Sequence, residues 1–114
     1  MLKRIYKKPE GCFTKLPDHY MWFELYYKDE IYCYIGIEII SIWASFHTHI
    51  VKWNHNIAKQ LHYDWEELKS ISRSFGAIQA IASNDNLEDK RWPKFIKMFG
   101  FPEPQNILIS KQEL

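Results

Sequence analysis

His47 and His49 alternate along the run SIWASFHTHIV, so any strand formed there carries both on one face. Imidazole titrates near neutral pH, which suits a base that takes a proton from an attacking amine. The competing reading is a pair of strand histidines hydrogen-bonded to their neighbours. His-x-His can also supply two metal ligands, with His55 or His62 able to approach, but no spacing fixes a third and no metal is assigned. Glu24 and Glu38 are alternative bases, or solvent-facing strand carboxylates. No Ser-His-Asp or Cys-His order carries a local signature, and Cys12 and Cys33 lie in no nucleophile motif, which argues against nucleophilic hydrolysis. Lys3, Arg4, Lys7 and Lys8 form one basic cluster and Lys90, Arg91, Lys94 and Lys97 another.

Those residues need a scaffold, and 114 residues are enough for one domain with one core. Hydrophobic residues at 46% and charged residues at 25% are ordinary globular proportions, which exclude collagen-like, low-complexity and disordered chains. Aromatic residues at 17% supply bulky surface for the core. A formal charge of +1 leaves no global field to hold a polyanion, so a dedicated nucleic-acid binder is not expected. Single-strand or phosphate binding through the second cluster is a weaker alternative. With two cysteines and no C-x-x-C, a disulfide framework is not expected. The basic start MLKRIYKKPEG lacks the apolar run of a signal peptide and no stretch has the length of a membrane span, so a cytoplasmic site of action is expected.

The elements follow from the periodicities. Residues 1–20 carry Pro9, Gly11 and Pro17 and predict an irregular lead-in with one short strand at residues 2–6. MWFELYY, a turn at Lys28, Asp29 and Glu30, and IYCYIGIEII predict an antiparallel hairpin. Residues 41–51 predict a third strand with Ile42, Ala44, Phe46, Thr48 and Ile50 on the face opposite the histidines. The period then becomes 3.6, with Ile57, Ala58, Leu61, Trp65, Leu68, Ile71 and Phe75 on one stripe between an Asn54 cap and a Gly76 stop. That predicts a helix of roughly 20 residues. Residues 77–82 predict a buried strand, parallel to the third and reached by a right-handed crossover. A polar loop at 83–86, a short helix marked by Trp92, Phe95, Ile96 and Phe99 with a Gly100-Phe101 stop, and a last strand at 106–110 complete the series. The class is α+β in one domain over residues 1–114, with a core at 21–110. Its sheet is mixed but mostly antiparallel, of five or six strands, and carries one long and one shorter helix.

This order, and above all DKRWPKFIKMFGF, resembles the GNAT superfamily of N-acetyltransferases, over roughly residues 21–110. The stretch from WNHNIAKQL to FPEP is similar to small bacteriophage-encoded members of that fold. The resemblance implies acetyl-CoA as cofactor, with pantetheine on the backbone of Ile50 and Val51. It implies pyrophosphate over Asn54, His55, Asn56, Ile57 and Ala58 at the helix N-terminus, with Asp89 at a further cofactor-contacting position, and His47 or His49 as base. Of the family's Q/R-x-x-G-x-G/A loop only Ala58 matches, because Trp53 and Asn56 replace the first two conserved types. Ile96 stands where a tyrosine normally protonates the leaving thiolate, and isoleucine cannot donate a proton. The segment before the hairpin is also too short for the family's acceptor-binding helices. Two functions follow from the resemblance: an acetyl-CoA-dependent N-acyltransferase, or a catalytically silent scaffold serving as a virion component or a binder of a host protein. For the second, Trp53, Tyr63 and Trp92, at the edge of the apolar stripes, and the cluster of Lys90, Arg91, Lys94 and Lys97 are the expected contact residues.

Overall fold

A computed structural model describes residues 1–84, 90–98 and 109–113. Six strands form one open sheet in sequence order: β1 (Leu2–Ile5), β2 (Met21–Tyr27), β3 (Glu30–Ile40), β4 (Trp43–Ile50), β5 (Gln79–Asn84) and β6 (Ile109–Glu113). All neighbours are antiparallel except β4 and β5, which run parallel. The helix α1 (His55–Ser74) connects that parallel pair, and α2 (Trp92–Met98) lies between β5 and β6.

Local chemistry explains each junction. β2 and β3 join through Lys28 and Asp29, both left-handed at φ 49° and 65°, the pattern of a two-residue hairpin turn that matches strand twist. Ser41, φ 55°, turns β3 into β4. Asn54 caps α1 by accepting the Ile57 N–H at 2.9 Å, as its position before the apolar stripe predicts. At the other end Gly76, φ 92°, donates to the Arg73 carbonyl while Ala77 donates to that of Ser72, a Schellman stop.

Alternation along the strands gives the sheet two different faces. Phe23, Leu25, Cys33, Ile35, Ile37, Ala44, Phe46, Ile50, Ala80 and Ala82 pack with Ile57, Leu61, Trp65 and Leu68 of α1 and Trp92 and Ile96 of α2. The opposite face carries a smaller core in which Cys12 and Phe13 of the lead-in cover Trp22, with Ile5, Leu16, Tyr20 and Tyr34 at its margin. Residues 6–20 therefore form a strap across the sheet and contain no helix. Buried Phe13 holds a left-handed backbone, φ 57°, a costly conformation for a bulky residue that its packing against Trp22 sustains.

The structure departs from the sequence reading in β5, the last strand and Trp92. β5 is shifted by two residues from the expected 77–82: it begins at Gln79, leaves Ile78 exposed, and runs through Ser83 and Asn84. Buried Thr48 donates to the Asn84 Oδ1 at 3.0 Å and to the Ser83 carbonyl at 3.1 Å, extending the pairing into a segment that composition marks as loop. Of the predicted last strand at 106–110, residues 109 and 110 belong to β6, which continues to Glu113, and 106–108 lie outside the described residues. Trp92, read as an edge residue open to contact or to local packing, is only 3% exposed, because it and Ile96 lie one turn apart on the face of α2 that meets the core. The expected Gly100-Phe101 stop, Asp85 and Asn86 of the polar loop, and Asp89 lie outside the described residues.

Candidate functional site

The parallel pair places its carboxyl ends beside the N-terminus of α1, the position at which open sheets with crossover helices bind ligands. Two grooves flank that terminus. One, of about 330 Å³, is bordered by Tyr27, Lys28, Glu30, Tyr32, Lys52, Asn54 and Ile57. The other, of about 390 Å³, is bordered by Trp53, Asn54, His55, Ala58, Lys94 and Lys97. The expected phosphate-holding residues thus divide: Asn54 borders both grooves, Ile57 the first, His55 and Ala58 the second, and exposed Asn56 borders neither. First-turn amides of a helix lack intrahelical acceptors, and neither helix carries an acidic residue in its first turn.

At the end of β4 the backbone is already engaged. The Arg91 guanidinium donates to the Ile50 carbonyl at 3.0 Å and to that of Val51 at 3.4 Å. On the other side the Val51 and Lys52 amides both donate to the Tyr32 carbonyl. Lys52 pairs with Glu30, which holds that exposed carboxyl below its usual range through the hydrogen bond and charge of the ammonium. Arg91 entered the sequence reading only as one of a basic cluster. Its place just before α2, within reach of the end of β4, is a property of the fold.

His47 and His49 project from the other face of the sheet, beneath the strap. Ser83 Oγ lies 3.0 Å from His47 Nδ1 and Ser45 Oγ lies 3.2 Å from Nε2, so both ring nitrogens have serine partners. The ring also meets Tyr20 edge-on at 5.4 Å, and His49 meets Phe13 and Tyr34. Glu38 pairs with His19 and accepts from the Tyr20 phenol. Burial first, then that hydrogen bond and the Glu38 charge, push the Tyr20 phenol up to about 12. Glu24 accepts from Tyr26 at 3.0 Å. His55 and His62 belong to α1 on the opposite side, so the sheet separates them from His47 and His49. Ile96, at the proton-donor position implied by the resemblance, is fully buried in the main core.

One buried polar centre was not singled out from sequence. Asp64, 4% exposed, accepts from the Tyr32 hydroxyl at 2.5 Å and from Gln60 Nε2 at 3.1 Å, and faces the Met1 ammonium at 3.4 Å. Burial and the Asp64 charge hold the Tyr32 phenol far above its ordinary range. A readable signal existed: Asp64 falls on the apolar stripe between Leu61 and Leu68, where a carboxylate needs donors.

No protein-family model matches this chain, and no curated protein matches it. Among the described residues, no helix is long and apolar enough to cross a membrane, and no three metal-ligating side chains come together.

Proposed function

We propose that this chain is a catalytically silent binding protein built on the GNAT-like architecture that its sequence resembles. The strand order, the parallel β4–β5 pair and the intervening long helix support that architecture. The observation that carries the functional reading is the Arg91 guanidinium on the Ile50 and Val51 carbonyls. This is the strand end that the resemblance assigns to pantetheine, and a charged donor seated there must be displaced before a cofactor arm can lie along it. The part-buried 3.0 Å contact is worth on the order of 1.5–3 kcal/mol, and the exposed 3.4 Å contact adds little to it. The remaining chemistry points the same way: His47 has hydroxyl partners on both nitrogens, and a core isoleucine stands at the acid position. A protein of this kind acts by contact, as a particle component or by holding a host protein.

Titration with acetyl-CoA and coenzyme A, followed by thermal melting, tests the reading. A ligand at a hundredfold excess over its dissociation constant adds roughly 2.7 kcal/mol of stability. The expected result is an unchanged melting temperature at millimolar cofactor, with weak binding emerging in Arg91→Ala. A saturable shift in the unmodified chain, accompanied by transfer of the acetyl group to an amine, would overturn it. That outcome would favour the second reading, an N-acyltransferase with its cofactor at the N-terminus of α1, which the grooves there support.

A further inference from the structure

We infer that the apolar end of the sheet, where α1 stops and β5 begins, is the surface through which two copies of this chain pair about a twofold axis. The inference is independent of the functional reading above, since it concerns the end of α1 opposite to the cofactor position. Four large apolar side chains stand in solvent there: Ile40 at 58% exposure, Ile42 at 44%, Phe75 at 56% and Ile78 at 55%. The fold makes them neighbours. The amides of Ile78 and Gln79 both donate to the Ile42 carbonyl, which carries the β4–β5 pairing one residue below Trp43 and Gln79 and sets Ile42 beside Ile78. By alternation with Ala44 and Ala80 both fall on the helix-covered side of the sheet, but α1 ends at Ser74 and the cover it gives Ala44 and Ala80 stops short of them. Phe75 caps that helix at the same end, one turn after half-buried Ile71 on its stripe. Ile40 lies across the Ser41 turn from Ile42. The apolar stripe of the helix and the apolar face of the sheet thus run out into solvent at one place.

Area and charge point to a second copy as the occupant. Half-exposed side chains of this size offer roughly 100 Å² each, so two copies bring together about 800 Å² of apolar surface. A standard interface buries about 1,600 Å² in total, a little over half of it apolar, which is close to the same amount. Residues 39–43 and 74–79 contain no charged side chain. Arg73 precedes the second segment and Glu113 stands opposite Gln79 in the β5–β6 register, one residue of each sign, so among the described residues these flanks select neither an acidic nor a basic partner. A patch buried against its own twofold copy traps no unpaired charge, and a formal charge of +1 leaves little repulsion between copies. The edges of the sheet are poorer contacts. β1 carries Lys3 and Arg4 and β6 carries Lys111 and Glu113, charges of the kind that oppose edge-to-edge pairing.

Sedimentation velocity of the full chain, from micromolar to near-millimolar concentration, tests the pairing. The expected result is a reversible rise from monomer toward dimer mass that does not weaken as ionic strength rises, because the contact is apolar. In the double variant Phe75→Lys and Ile78→Lys the association constant should fall by roughly a hundredfold or more, since the twofold axis sets like charges against each other, at an unchanged melting temperature of the dilute protein. Ile42→Lys, in the neighbouring turn, is the second variant and should lower association by roughly tenfold if the first proves unstable. Tyr63→Ser, which removes a still more exposed ring from the body of α1, should leave association as it was. A mass that stays monomeric throughout, association that survives the charged variants, or association that Tyr63→Ser abolishes would each overturn the inference. So would species that grow beyond the dimer, which a closed twofold contact excludes. The titration with coenzyme A reads the other end of α1, so either reading can fail without the other.

Discussion

Gly36 sits opposite Trp22 in the β2–β3 register, and a methyl group built on it would lie 2.5 Å from the indole Cζ3. The Trp22 ring, 1% exposed, fills the space above the glycine and has Phe13 and Tyr20 against it, so it cannot step aside at little cost. Gly36→Ala should therefore destabilise the fold by about 1–3 kcal/mol, read from the midpoint of denaturant unfolding. Tyr20 supplies a pH test. Its phenol is raised above the unfolded value of 10 to about 12, so the neutral form is the one the fold prefers. The stability it contributes is complete below pH 10 and is lost as pH rises through 12. Carbon-13 NMR of ring-labelled tyrosine should show Tyr20 ionising near 12, and Glu38→Gln should bring it part of the way back, the share from burial remaining. A Tyr20 midpoint that does not move in Glu38→Gln would refute the contact with Glu38. At this scale the sequence was partly legible. The shared face of His47 and His49 follows from strand period alone, but the serine partners of His47 come from β4 itself and from β5, 36 residues away at Ser83.

The elements were easier to read than the contacts. The long helix is announced by its stripe, its Asn54 cap and its Gly76 stop; the stripe is buried from Ile57 to Leu68 while Phe75 at its end is exposed, and cap and stop are realised as hydrogen bonds. Asn54→Ala should lower stability by about 1 kcal/mol, since it removes the acceptor of the Ile57 N–H. A change of opposite sign is expected in the β2–β3 turn. Asp29 occupies a left-handed conformation at φ 65°, which glycine adopts without a steric penalty. Asp29→Gly should raise stability by roughly 0.5–1 kcal/mol, measured in the same unfolding experiment. Strand ends were less legible because composition marks serine and asparagine as loop formers. Only the buried Thr48 on the neighbouring strand shows why Ser83 and Asn84 remain paired.

For the whole molecule, the decisive arrangement is a sheet covered differently on its two sides. Helices α1 and α2 bury one face, and an irregular strap with a buried Phe13 closes the other. Phe13→Ala should cost about 3–5 kcal/mol and raise binding of a hydrophobic dye, because Trp22 and Tyr34 lose their cover. Little change in stability would mean that the strap is not part of the core. Sequence alone determined the class, the order of elements, the amphipathic helix and the two faces of the strands, because these depend on periodicities of 2 and 3.6 and on local caps. Tertiary structure decided which residues meet. Arg91 reached the Ile50 and Val51 carbonyls, Asp64 gained the Tyr32 hydroxyl, and Trp92 turned inward while Lys94 and Lys97 came to border a groove with Trp53. Such meetings join residues tens of positions apart, and no local preference encodes them. They depend on how helices cross the sheet and on the requirement that buried polar groups find partners.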